Sequence, residues 1–210
     1  MLFGEIMNVL RIEADLLDSN VFVATENDVC VIVDAGASLE KIKQVVGEKK
    51  VVGVLLTHAH YDHCYYAQDY AKEFSCKIYC SKNAREYLEN SVYNYSEGHF
   101  KVEGFSEFIF LDCEGKLSFD GIKVSYTQLG GHSLADMIFK IENDVFVGDL
   151  LIGRDIGRLD LYGGSKEGMK SSLDYLIKLD FETIHSGHGE DNSKDSQIKV
   201  MKLWQKFLNR

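Results

Sequence analysis

Residues 51–56 read VVGVLL, an apolar run with no polar interruption, and they lead straight into the polar segment THAHYDHC at 57–64. A strand with one solvated face alternates apolar and polar residues, so an unbroken run is expected where a sheet is covered on both faces. Strand-like pieces precede it at 9–14, 20–27 and 29–36, with Asn27-Asp28 as the hairpin turn between the last two. Helices are expected near 39–48, over 62–74 and over roughly 82–90, with a strand at 77–80. Residues 91–118 carry aromatics and glycine without a clear period. Three successive strands are then expected at 121–130, 135–142 and 144–150, followed by a loop rich in Gly, Arg and Asp at 153–165. In the next helix Met169, Leu173, Leu176 and Ile177 share one face, and a short strand lies around 183–186. The final helix puts Ile198, Met201 and Leu208 on one side, with Trp204 beside them. Strands thus fall in two blocks, each followed by helices, a pattern satisfied by two sheets back to back with helices outside.

Nothing linker-like interrupts residues 1–210, so one domain is expected, long enough for a sizeable core. No apolar run approaches the roughly 18 residues of a membrane span, and the segment MLFGEIMNVLRIEADLLDSN lacks a signal-peptide pattern. Cys30, Cys64, Cys76, Cys80 and Cys113 form an odd, scattered set without a CxxC, which fits a reduced cytoplasmic compartment. A net charge of −10 weighs against broad nucleic-acid binding. With no proline in the chain, every turn relies on Gly, Asn, Asp or Ser.

THAHYDHC packs three histidines and an aspartate into six positions, 58–63. Taken alone it suits a metal site, a histidine-rich surface loop, or a helix start with Asp62 in the cap or first turn. His58 and His60 alternate where the strand gives out, so their side chains can point the same way. Asp62 and His63 follow at the start of a helix, a geometry suited to two metal ions roughly 3.5 Å apart. Three later places can complete such a set: His132 in GGHS, Asp149 in VGDLL and His188 in SGHG, each at a strand end beside glycine, which permits close approach. His99 and His185 are not needed for it; His185 is expected to pack in or beside the last strand.

HAHYDH at 58–63, followed by separate His132, Asp149 and His188, resembles the metallo-beta-lactamase superfamily of metal hydrolases, most closely its hydroxyacylglutathione hydrolase (glyoxalase II)-like branch. IVDAG at 32–36 and GRLDLYGG at 157–164 extend the resemblance over nearly the whole chain. It implies an α/β four-layer αββα sandwich. It also implies that His58, His60 and His132 hold one divalent metal ion, that Asp62, His63 and His188 hold a second, and that Asp149 bridges them, with Asp34 behind the site. Asp149 separates the chain from the true beta-lactamases, which lack that bridging carboxylate. Two features depart from the family pattern: Gly131 and Gly187 stand where proline often precedes the histidine, and Cys64-Tyr65-Tyr66 replace small glycines after the first motif.

The activity implied is hydrolysis of a small thioester or related ester by a hydroxide bridging two ions, with Asp62 orienting the nucleophile or handling its proton. Zinc is the default metal, and a nitrogen and oxygen donor set also suits iron or manganese. Cys64 adjoins His63 but is expected to pack inward. Arg154 or Arg158 can meet an anionic small-molecule substrate or pair with Asp155 or Asp160. Tyr61, Tyr65, Tyr66, Tyr93, Tyr95 and Tyr162 are candidates for the mouth. Glyoxalase II carries a glutathione-binding helical domain, and this chain continues only about one helix past His188, which favours a thioester other than a glutathione one. The alternatives are a persulfide dioxygenase with one iron, a phosphodiesterase or ribonuclease of the same fold, and a metal-stabilised binding module. Neither a nucleic acid nor a membrane is an expected partner, and the sequence carries no signal for oligomeric state.

Overall fold

The computed structural model describes residues 7–209. The first half of the chain supplies β1 (Asn8–Glu13), β2 (Asn20–Glu26), β3 (Val29–Val33), α1 (Leu39–Val46), β4 (Lys50–Leu55), α2 (Tyr61–Cys64), α3 (Ala67–Phe74), β5 (Ile78–Ser81), α4 (Ala84–Glu89) and β6 (Phe108–Leu111). The second half supplies β7 (Glu114–Phe119), β8 (Ile122–Gln128), β9 (Met137–Ile141), β10 (Asp144–Ile152), β11 (Asp155–Ile156), α5 (Lys166–Lys178), β12 (Thr183–His188), β13 (Asn192–Ser193) and α6 (Lys194–Leu208).

The strands form two sheets. One is six-stranded in the order β1-β2-β3-β4-β5-β6; the other runs β13-β12-β10-β9-β8-β7, with β11 beside β10. β3 and β4 pair in parallel across the α1 crossover, and β10 and β12 do so across α5. The apolar run at 51–56 is therefore a central strand, as its composition requires.

Alternation along each strand assigns residues to cores. On β2, Val21 and Val23 face Ile42, Tyr70 and Tyr87 of the helical layer, whereas Phe22 and Ala24 join Phe139 and Phe146 between the sheets. On β10, Val145 and Val147 turn outward against Met169, Leu173, Leu176 and Met201. Helices thus cover the outer face of each sheet and a third core fills the space between them, giving the αββα sandwich. Met169, Leu173 and Leu176 of α5, and Met201 and Leu208 of α6, are buried as the periodicity predicts, with Ile177, Ile198 and Trp204 at the edge of the same cluster. No helix among the described residues is long and apolar enough to cross a membrane.

The structure departs from the sequence reading at three places. The helix over 62–74 is two helices, because Ala35 inserts its backbone at the break: its N–H donates to the His63 carbonyl and its carbonyl accepts from the Tyr66 N–H. The aperiodic stretch 91–118 contains β6 and all but the last residue of β7, which alternates exposed and half-buried positions at a sheet edge up to the buried Phe119 and so carries little apolar signal. The β12 strand also runs on through His188.

Candidate metal centre

The seven residues singled out by their spacing come together where the ends of β4, β10 and β12 meet. His58 and His60 leave β4, Asp62 and His63 lie in α2, and His132 sits in the β8–β9 connection. Asp149 lies in β10 after a register shift between Phe146 and Gly148, a kind of irregularity that re-aims side chains, and His188 closes β12. Ligand-capable atoms of His58, His60 and His132 lie within 4.8 Å of one another, and so do those of Asp62, His63 and His188. Asp149 stands between the groups: its Oδ1 is 3.4 Å from His63 Nε2, and its Oδ2 is 3.5 Å from His132 Nε2 and 3.6 Å from His188 Nε2. His60 Nδ1 faces His132 Nε2 at 2.8 Å, and Asp62 Oδ2 lies 3.3 Å from His188 Nε2.

The surrounding bonds decide which ring nitrogens are free. A carboxylate or a carbonyl can only accept, so His63 must donate from Nδ1 to Asp34 Oδ2 at 2.9 Å, and His132 from Nδ1 to the Arg158 carbonyl at 3.0 Å. Thr57 Oγ1 donates to Asp34 Oδ2 at 2.7 Å and accepts from His58 Nδ1 at 3.2 Å. In their neutral, ligating form all three imidazoles therefore turn an unprotonated Nε2 inward. His58 Nε2 and Asp149 Oδ1 are buried without a hydrogen-bond partner, and His60 turns Nδ1 toward His132 Nε2. Burying unpaired acceptors is costly, and a set of inward lone pairs around ionised carboxylates is satisfied by cations. The donors fit divalent metal ions.

Charge supports the same fit. Burial, reinforced by the neighbouring imidazoles, pushes His58 well below the ordinary histidine range and His60 down to about 3, so both stay neutral and able to ligate. Burial works against ionisation of Asp149, yet His63, by charge and by hydrogen bond, holds its carboxyl well below the usual range. Burial likewise opposes ionisation of Asp62, and His63 and His188 lower its pKa in spite of it.

Glycine lets these elements approach. A Cβ on Gly187 would fall on Asp149 Oδ1, and one on Gly148, whose φ is 52°, would meet Thr57 Oγ1. Cys64 turns away: it is buried in the helix-side core with Sγ 3.7 Å from the Ala59 carbonyl. His185 packs on Phe22 and Phe146 and binds Asp144 and Asp191, apart from the donors.

A cavity of about 560 Å3 opens above the donors. Of the six candidate tyrosines, Tyr61 and Tyr95 line it; Tyr65 packs on Tyr66 and Phe100, and Tyr93 stacks on Tyr162. Arg158 also lines it, but its guanidinium binds Asp160 through two bonds of 2.9 and 2.7 Å. Arg154 is exposed.

Several contributors escaped the sequence analysis. Thr57 immediately precedes the motif, and a hydroxyl next to a ligand histidine is a signal that was there to be found. Asp136 accepts the His132 N–H at 2.9 Å and the Ser133 N–H at 3.0 Å, shaping the loop that presents His132. Leu17, Ile152 and Leu161 line the mouth through tertiary placement alone.

A family model described as the metallo-beta-lactamase superfamily matches residues 14–188. An uncharacterized protein of Mycobacterium tuberculosis is 32% identical over 209 residues, covering 89% of this chain and 93% of that one. Hydroxyacylglutathione hydrolase GloC of Haemophilus influenzae is 30% identical over 168 residues, covering 75% of this chain and 79% of its own. Among solved structures, BLEG-1 B3 metallo-beta-lactamase superposes with a TM-score of 0.85 at 25% identity, over 91% of this chain and 97% of that one.

Proposed function

The chain belongs to the metallo-beta-lactamase superfamily, whose members of this type are metal-dependent hydrolases, and from that premise we propose that it is a binuclear hydrolase of a small thioester or related ester. The observation that carries this reading is Asp149, placed between two separate donor groups with one buried oxygen unpartnered. His58, His60 and His132 would hold one ion, Asp62, His63 and His188 the other, and Asp149 both. Divalent ions bound there, zinc by default with iron and manganese also suited to these donors, lower the pKa of water toward neutrality and polarise a carbonyl.

The chain's own residues supply the rest. Asp34 and the Arg158 carbonyl fix two ring orientations, and Thr57 fixes a third. Asp62, buried and ionised beside His188, orients the attacking water and accepts its proton, which is then available to the departing thiolate or alkoxide. A carbonyl substrate is attacked, its tetrahedral adduct collapses, and a carboxylate and a thiol or alcohol leave. The similarity to hydroxyacylglutathione hydrolase GloC supports thioester chemistry. The net charge of −10 supports a small molecule over a nucleic acid as substrate.

The test is elemental analysis of the purified protein together with thioester hydrolysis by wild type, His58→Ala and Asp149→Ala. About two metal ions per chain, with hydrolysis lost in both variants, is the expected result. Full activity without metal overturns the proposal; one iron per chain with oxygen consumption on a persulfide establishes the dioxygenase instead.

A further inference from the structure

The mouth of the cavity is built from two backbone segments in conformations unusual for their residues. Leu17 has φ 50° and Tyr95 has φ 61°, both in the left-handed region that bulky side chains avoid. Such outliers persist only where the surroundings over-determine them, and they cluster at ligand clamps. Both segments are tied down. The Leu17 loop is closed by the Ala14 N–H on the Ser19 carbonyl at 2.8 Å, and Ser19 Oγ donates to the Asp62 carbonyl at 2.7 Å. Ser19 also bridges to His188, so Leu17 stands at the Asp62–His188 end of the donors. On the other side the Asn94 carbonyl accepts the Tyr61 N–H at 2.9 Å, and the Asn94 side chain bonds the Tyr87 carbonyl and the Ser96 N–H, each at 2.9 Å. Tyr95 then lays its ring 5.2 Å from that of His60, while its hydroxyl accepts the Tyr162 N–H at 2.6 Å.

Between them lies the cavity of about 560 Å3, within the range of small-molecule sites. Beyond the donor residues its described walls are Leu17, Tyr61, Tyr95, Ile152 and Leu161, with Arg158 as the only cation among them. That cation is already bound twice by Asp160. Leu17 is 63% exposed and Tyr95 37% exposed, so both offer apolar surface that a ligand would cover. Away from the donors, an anionic substituent would meet no cation but Arg158, which Asp160 already holds, whereas an apolar one gains by leaving water.

We propose that Leu17 and Tyr95 form a clamp, one jaw at each end of the donor cluster, that selects substrates whose groups beside the scissile carbonyl are uncharged and apolar. The proposal rests on the hydrolase reading above and names the substrate class for it. Leu17 and Tyr95 are specificity residues; the bond cleaved and the proton transfers are unchanged by them.

The experiment uses the metal-loaded enzyme and two probe pairs. Turnover is compared on S-benzoyl-N-acetylcysteamine, which is neutral and aromatic, and on S-lactoylglutathione, which is anionic. Binding is compared by calorimetry on the hydrolysis-inert thioethers S-benzyl-N-acetylcysteamine and S-benzylglutathione. Wild type is expected to favour the neutral thioester in kcat/KM. Leu17→Ala and Tyr95→Ala each reduce kcat/KM for that substrate by about tenfold, mainly through KM, as expected for lost apolar contact in a pocket. Tyr95→Phe retains the preference, and Leu17→Lys shifts it toward glutathione derivatives, with metal content unchanged throughout. A wild type that prefers S-lactoylglutathione, or alanine variants that leave the ratio unmoved, overturns the clamp while leaving the hydrolase intact. Thioether selectivity that Leu17→Ala abolishes, without turnover of any thioester, sustains the clamp and removes the hydrolase reading. Failure of all four probes to bind overturns both.

Discussion

Asp34→Asn tests how far one buried proton pattern governs the metal centre. Asp34 is 1% exposed and accepts three bonds, from Thr57 N–H at 2.8 Å, Thr57 Oγ1 at 2.7 Å and His63 Nδ1 at 2.9 Å. Asparagine has nearly the same shape and tolerates the left-handed backbone, with φ 62°, that this position requires. Its remaining oxygen must face the Thr57 N–H, which leaves the NH2 group opposite Thr57 Oγ1 and His63 Nδ1. His63 then has to accept at Nδ1, and its proton moves to Nε2, the nitrogen aimed at the donor cluster. Thr57 Oγ1 becomes an acceptor toward the introduced amide and turns its own proton to His58 Nδ1, so His58 is driven the same way. One substitution thus puts hydrogens on two inward nitrogens, in both donor groups. Changes in such supporting bonds cost roughly 10–100-fold in metal affinity, or about 1.4–2.7 kcal/mol. Chelator-competition titration measures the affinity, long-range nitrogen–proton NMR reads the tautomers, and a metal-free melt confirms folding. Wild-type affinity at both positions in a folded Asp34→Asn protein would refute the tautomer reasoning.

Gly187→Ala is expected to lose metal and to be destabilised by about 1–3 kcal/mol, because its methyl group falls on Asp149 and the neighbouring backbone cannot retreat; elemental analysis and thermal melting check this. Burial disfavours charged His185, but its hydrogen bond to Asp144 at 2.7 Å and the Asp191 carboxylate 3.0 Å from its other nitrogen outweigh it and raise its pKa above 6.5. The stabilisation is complete below 6.5 and is lost as pH rises through the raised folded-state value. His185→Gln should therefore cost about 1.5–3 kcal/mol at pH ~5.5 and less at pH ~9 in metal-free protein, whereas a pH-independent difference would contradict it. Tyr87→Phe removes the hydroxyl that donates to the Tyr162 carbonyl at 2.9 Å and accepts the Leu134 N–H at 3.0 Å. A loss of about 1–3 kcal/mol in urea denaturation is expected, with KM raised more than kcat as the loops beside His132 loosen.

The candidate metal donors were legible because their chemistry restricts residue type and four of them sit within six positions. His132, Asp149 and His188 were legible for another reason: each reads as a strand end beside glycine, although β10 runs on past Asp149 to Ile152 and β12 includes His188. Strand identities followed from apolar runs such as 51–56, and the layers followed from the order of strands and helices. What failed had no local cause. The break after Cys64 is imposed by Ala35, a residue distant in sequence, and β7 is an edge strand whose residues satisfy solvent as readily as a core. The tyrosines at 65 and 66 were indistinguishable from Tyr61 and Tyr95 until tertiary packing set Tyr65 against Tyr66 and Phe100 and turned Tyr61 and Tyr95 toward the cavity. Leu17 is an ordinary loop leucine in sequence; only the bond from Ser19 to the Asp62 carbonyl shows where it is held.

The division of donors between the two sheets has a thermodynamic consequence. His58, His60, Asp62 and His63 belong to the half built on β4, whereas His132, Asp149 and His188 belong to the half built on β8 to β12. Any ion held by both sets acts as a rivet across the sandwich, and neither half alone retains its full affinity. At free metal 100-fold above Kd the folded state gains about 2.7 kcal/mol per site, and that gain resides in the docking of one sheet on the other. Chelation should accordingly accelerate amide exchange first at the seam around Phe22, Phe139 and Phe146, so that metal supply controls the cohesion of the fold as well as its chemistry.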